Sequence, residues 1–245
     1  MKHFLFSFLW LTTILFFCQV EAKLVLPTAL SSQDRQNMLE ILGYGSTPKL
    51  LGNPYTLGGY SGIELGISTE IIPTADISRL GSKAPQQGET NYNVFTLGKG
   101  IYNNLDTLVQ FGLLGNGEEV SNIGAQVRWS FLQAEYLPAF LTAVLSANSV
   151  NFQNLVTTNT QSADLVLGVS VDDVTLFLGA GVVKTQGIFT GGAAGITDTG
   201  DTVKENLSGG HYLAGINLKF SNVFLAMEID RYTQSVYSAK LGTRF

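Results

Sequence analysis

Apolar residues recur at every second position along much of this chain. In "SNIGAQVRWSFLQ", Ile123, Ala125, Val127, Trp129 and Phe131 share one side, and Gly124, Gln126, Arg128 and Ser130 share the other. "SADLVLGVSVDD" sets Ala163, Leu165, Leu167, Val169 and Val171 against Asp164, Gly168, Ser170 and Asp172. "GHYLAGINLKF" sets Tyr212, Ala214, Ile216, Leu218 and Phe220 against His211, Gly215, Asn217 and Lys219, with Leu213 the one apolar intruder. "YSGIELGISTEII", "LDTLVQFGLL", "NVFLAMEID" and the final "SAKLGTRF" alternate in the same way. A period of two places successive side chains on opposite faces of a strand. Ten strands are predicted, over 57–72, 91–101, 105–115, 121–132, 139–150, 161–171, 174–186, 210–220, 223–231 and 235–245. The second is the weakest, because Lys99 falls on the side of Phe95 and Leu97, and a bulge is one way to re-aim it. Eight strands result if it and a partner are misread, and twelve also stays open.

One alternating strand suits a soluble sandwich, whose polar face meets water. The set as a whole points elsewhere. Its polar face is built from Gly, Ser and single charges, its segments run about ten residues, and aromatics stand at the ends of the apolar face: Trp129, Phe131, Tyr212, Phe220, Tyr237 and Phe245. A strand of that length, apolar toward lipid and polar within, spans a bilayer, and with no water to satisfy its backbone such a sheet must close on itself. Trp129, Phe131, Tyr212 and Phe220 are therefore expected in an aromatic girdle. The joins agree: "YNN", "QAEYLP", "DD" and "SN" are short and alternate with longer stretches near 73–90, 151–160 and 187–209, although "GNGEE" and "YTQ" break the pattern by being short. The expected fold is an all-β, closed antiparallel up-and-down transmembrane barrel over 55–245, with a secreted soluble β-sandwich as the competing architecture.

Composition supports this. Only 13% of residues are charged, below the usual quarter of a soluble domain. Yet beyond the N-terminus no apolar run reaches the 18 residues of a membrane helix. The exception, "MKHFLFSFLWLTTILFFCQVEA", has a basic start, an apolar run of about 15 residues and small residues before Lys23, which predicts a secretory signal cleaved after Ala22. A membrane anchor needs a longer run, and a lipobox would put a small residue where Phe17 precedes Cys18. Cleavage removes the single Cys, one Lys and one Glu, so the mature chain has no thiol chemistry and keeps a net charge of −5. That balance argues against nucleic acid. Residues 23–54 do not alternate. "SSQDRQNMLEILGYG" predicts a short helix, with Ser31 or Ser32 as cap, Asp34 in its first turn and Gly43 as its stop. Chain polarity places this segment on the periplasmic side, either tucked into the lower mouth as a plug through Met38, Leu39, Ile41 and Leu42 or loosely ordered.

The last strand carries apolar residues at every second position and ends on an aromatic. Tyr237, Ala239, Leu241 and Phe245 thereby resemble the C-terminal assembly signal of Gram-negative outer-membrane barrels, with Thr243 a departure. The resemblance implies an outer-membrane location, contact with outer-membrane lipids and lipopolysaccharide, and handling by periplasmic chaperones and the barrel assembly machinery.

The inner face is predicted to hold Glu64, Glu70, Asp106, Arg128, Asp164, Lys219, Glu228, Asp230, Lys240 and Arg244. Mixed signs in a low-dielectric lumen favour a paired network in a closed structural barrel over the single-sign ring of a selective pore. A narrow passive pore is the other possibility. No cofactor or metal is expected: "GGAAG" follows no βα pattern, and His211 with Asp198, Asp201 or Glu205 has no ligand spacing. A lipid-modifying enzyme or protease would need a rim site such as Ser208, His211 and Glu205, and the paired-Asp motif of outer-membrane proteases is missing. A surface adhesin would use the outer loops, which lack large aromatic anchors.

Overall fold

The computed structural model describes residues 24–82, 88–112, 120–134 and 138–245. The predicted signal segment with Cys18, the whole "GNGEE" join and residues 135–137 of the "QAEYLP" join lie outside the described residues. Among the described residues, one α-helix, α1 (Ser32–Gly45), precedes ten strands: β1 (Ile63–Pro73), β2 (Glu89–Tyr102), β3 (Leu105–Gly112), β4 (Val120–Gln133), β5 (Ala139–Phe152), β6 (Val156–Val171), β7 (Val174–Phe189), β8 (Val203–Phe220), β9 (Val223–Arg231) and β10 (Ser235–Arg244). Each strand pairs antiparallel with the next, and β10 returns to β1, giving a closed up-and-down barrel. At the seam, Glu64 faces Arg244 and Ile71 faces Tyr237. Ile63 and Phe245 also exchange both backbone bonds, at 3.0 and 2.9 Å. No described helix is long and apolar enough to cross a membrane.

One mouth carries only short joins, and the other carries the long joins 74–88 and 190–202 together with three-residue turns at 153–155 and 232–234. The weak second strand is real: Lys99 stays on the outer face beside the short-turn mouth, donating to the Tyr60 carbonyl, and the register shift falls just after it, between Gly100 and Tyr102. Two predicted loops are largely strand. β5 and β6 run on to a turn at Gln153–Leu155, and β7 and β8 meet only across 190–202. The misreading has a physical source: in these extensions the outward positions change from apolar to polar, as in Thr157, Asn159 and Gln161 on β6, so the expected contrast between faces vanishes while pairing continues. Conversely, residues 57–62 are not strand, and Gly59–Ser61 forms a 3-10 turn leading into β1.

The outer surface carries an apolar belt about nine residues tall, Ile123–Phe131 on β4, Ala163–Val171 on β6, Val174–Val182 on β7 and Tyr212–Phe220 on β8. Inside, three neighbouring strand pairs repeat one device. Phe140 lies opposite Gly168, Phe177 opposite Gly215 and Phe224 opposite Gly242, each ring lying over the glycine across from it. A Cβ at Gly168 would stand 2.0 Å from Phe140 Cζ. Gly168→Val should therefore cost about 1–3 kcal/mol through overpacking, and Phe140→Ala in the same chain should recover part of it. Urea midpoints of the three variants check this, and a harmless Gly168→Val would show that the ring does not occupy that space.

Candidate functional site

The lumen is occupied by the chain itself. Residues 24–62 run through the barrel from the long-loop mouth to the short-turn mouth. At the long-loop mouth, the Leu30 N–H donates to the Ile196 carbonyl at 2.8 Å, and the Asp198 N–H donates to the Leu30 carbonyl at 3.2 Å. Leu24, Leu26, Leu30, Ile77, Leu80 and Ile196 bury together there as a cap over α1. Ser31 starts the helix: its Oγ accepts from the Asp34 N–H at 3.2 Å while Asp34 accepts from the Ser31 N–H at 3.1 Å. The helix runs past Gly43 to Gly45, because both glycines serve close approach to the wall and not termination. A Cβ at Gly43 would lie 2.6 Å from Thr185 Oγ1, and one at Gly45 2.7 Å from Ile72 Cγ2. Met38, Leu39 and Leu42 bury against the inner wall.

This corrects the expected position at the lower mouth. Chain polarity fixes only where residue 62 enters β1, and the non-helical stretch below α1 is long enough to carry the helix to the opposite mouth. The wall holds that stretch largely by its backbone. Thr160 donates to the Gly43 carbonyl at 3.1 Å, Asn148 to Ser46 at 2.5 Å, Thr142 to Pro54 at 3.0 Å and Arg244 to Asn53 at 2.9 Å. The Arg128 guanidinium donates to the Leu50 carbonyl. Glu228 accepts from the N–H groups of Leu50 and Leu51 at 3.1 and 2.7 Å. Asp106 accepts from the Leu57 N–H at 2.9 Å.

The predicted lumen residues separate into two layers. Near the short-turn mouth, Glu64 receives Lys240 Nζ at 2.6 Å on one oxygen and Arg244 Nη2 at 2.6 Å on the other, with Arg128 and Asp106 facing each other on β4 and β3. Glu64 is fully buried, as is Lys240 at 1% exposure, and Gly66 leaves the space through which the lysine passes, since a Cβ there would lie 2.3 Å from Lys240 Cε. Deeper in the lumen stand Glu70, Asp164, Glu228 and Asp230, with Tyr92 donating to Glu70 at 2.8 Å. Lys219 is the exception among the ten. Its strand position has inward parity but lies at the rim, where the side chain reaches solvent.

Two cations that sequence reasoning passed over complete the arrangement, both from the N-terminal segment. Lys49 stands within electrostatic reach of Glu70, Asp164, Glu228 and Asp230, lies 5.2 Å from the Tyr232 ring centroid and donates to the Gly45 and Thr47 carbonyls. Arg35 pairs with Asp198 at 2.9 Å and Glu205 at 3.0 Å. Their sequence neighbourhood does not alternate, so nothing marked them as lumen residues.

His211 sits in the interior of β8, buried, with Nε2 2.6 Å from Asp164 Oδ1. Asp164 in turn accepts from Ser162 at 2.9 Å. Ser208 projects to the outer face, and Glu205 is engaged by Arg35, so the conceived Ser–His–acid set is not assembled. Asp198 and Glu205 likewise serve Arg35 and not His211, and among the described residues no cluster of three His, Cys, Asp or Glu side chains could hold a metal. Trp129 and Phe131 on β4 and Tyr212 and Phe220 on β8 all face outward, as do Tyr237 on β10 and Phe245 just past its end. Ala239 and Leu241 share that outer face. Two cavities beside the threaded segment, one near Glu70 and Lys240 and one near His211 and Asp230, measure about 10 Å³ each, the space of a single water.

No family model matches the chain, and no curated protein matches it. It is similar in structure to Ail, the attachment invasion locus protein of Yersinia pestis, with a TM-score of 0.31 at 15% identity over 75% of this chain and 97% of that one. It is also similar to the N-terminal β-barrel domain of Pseudomonas aeruginosa OprF, with a TM-score of 0.34 at 10% identity over 76% of this chain and 99% of that one. The translocator domain of the autotransporter NalP from Neisseria meningitidis gives 0.35 at 12% identity over 87% and 94%.

Glu64 is the shared partner of two buried cations, and removing its charge leaves both uncompensated. Glu64→Gln is expected to destabilise the barrel by about 3–5 kcal/mol. The loss should shrink when Lys240→Met is added, a coupling that equilibrium unfolding of the double-mutant cycle reads directly.

Proposed function

We propose that this protein is an integral outer-membrane β-barrel, non-catalytic and closed to solute flow by its own N-terminal segment. The observation that carries the membrane assignment is the continuous belt of outward apolar side chains, about nine residues tall, around a sheet with no free edge within it. Aromatics at its short-turn rim, with Trp129 and Phe131 rings 5.2 Å apart and Tyr60 edge-on to Tyr102 at 6.4 Å, suit a lipid headgroup level. In this reading the short turns face the periplasm, the extended β5–β8 ends stand clear of the bilayer toward lipopolysaccharide, and Tyr237, Ala239, Leu241 and Phe245 form the strand that the assembly machinery and chaperones receive. Closure is supported by α1, by the backbone bonds that hold residues 46–57, and by the single-water scale of the cavities beside them.

Planar bilayers should show no sizeable single-channel steps for the full chain, and regular steps would overturn the closed reading. For the membrane assignment, Leu178→Arg, within the belt, should lower stability in lipid vesicles by about 2–4 kcal/mol, whereas Asn159→Arg, on the polar extension, should cost about 1 kcal/mol or less. Equal effects at the two positions, or a chain that stays dissolved without detergent, would remove the assignment.

A further inference from the structure

We propose that the lumen is a binding site for extended polypeptide, and that residues 46–57 are its built-in occupant. The wall recognises this stretch by what any peptide offers. Glu228 takes two successive amides, Arg128 and Arg244 take carbonyls, Asn148 and Thr142 take two more, and Asp106 takes the amide of Leu57. These six residues come from β9, β4, β10, β5 and β3, so the site is spread round the wall and exists only in the closed barrel.

Two side-chain environments add selectivity. Lys49 lines a cavity with Glu70, over the Tyr232 ring, within electrostatic reach of Asp164, Glu228 and Asp230. The next residue, Leu50, packs in an apolar cluster with Val144, Val166, Phe177 and Leu213, beside Asp164 and Asp230. Lys49 and Leu50 meet different linings, so a cation followed by an aliphatic residue matches what the wall offers at these two positions. Gly52 completes the pattern, because a Cβ there would meet both Arg128 Nη1 and Arg244 Nη2 at 3.3 Å. The ligand class is thus an extended peptide bearing a basic residue, an aliphatic residue beside it and a glycine two positions further on. The site stands on lumen geometry alone and is independent of the membrane assignment.

The test cuts the tether and leaves the rest of the chain in place. A sequence-specific protease site is inserted between Gly58 and Gly59, beside the exposed Tyr60 at the short-turn mouth. The full chain is folded in detergent and then cleaved. The N-terminal fragment should stay with the barrel on size exclusion and leave in a denaturant concentration that preserves the β-sheet signal. A fluorescent peptide of residues 43–57 should then rebind saturably. The same peptide with Lys49→Glu or Leu50→Asp should bind at least about tenfold more weakly, as should the unaltered peptide to a Glu228→Gln barrel. The peptide variants keep the test decisive even if Glu228→Gln does not fold. Loss of the fragment on cleavage, release only when the strands melt, no rebinding, or equal binding of all peptides would each overturn the proposal.

Discussion

Closing ten strands into a ring fixes the bore of the lumen, and the bore governs everything placed inside it. An eight-stranded wall is just filled by its own side chains. Ten strands leave an axial space that inward residues of ordinary size do not reach across, and an empty, half-polar space would leave buried donors and acceptors unpaired. This chain fills it from both directions. Phe140, Phe177 and Phe224 cover inner-face glycines and thicken the wall toward the short-turn mouth, while α1 and the extended stretch below it occupy the axis. The helix touches β1, β6, β7 and β8, so its hydrophobic side chains act as the core that a sandwich would build between two sheets.

The wall was legible from the alternation alone, because a barrel in lipid enforces opposite chemistry on successive residues. Strand identity, order and closure follow from that rule, with ends within three residues for β2, β3, β4, β5, β7, β9 and β10. The rule fails where its cause stops. Past the belt, outward positions face water, both faces turn polar and the β6–β8 extensions read as loops. The inner-face charges were legible for the same reason as the strands, by parity, and Lys219 departs because parity says nothing about height along the axis. Arg35 and Lys49 were illegible, since the segment that carries them has no period of two and its place in the lumen is set by contacts with strands up to 178 residues away in sequence.

The charge balance explains why wall and segment belong together. Of the buried or half-buried ionisable residues of the predicted set that the strands aim inward, Glu64, Glu70, Asp106, Asp164, Glu228 and Asp230 are acidic, against Arg128, Lys240 and Arg244. The three wall cations gather about Glu64 and Asp106, leaving Glu70, Asp164, Glu228 and Asp230 without a strand-borne cation of their own. Lys49 and the two amides presented to Glu228 arrive from the N-terminal segment at that same level, and Arg35 meets Glu205 above it. The segment therefore supplies positive charge and donors where the wall has surplus acceptors. Apolar filler of equal volume would close the bore but deprive Glu228 of the two amides it accepts from, a costly loss for a buried carboxylate. The polypeptide that occupies this lumen thus brings amides to donate and one basic side chain to the height at which the wall is most acidic.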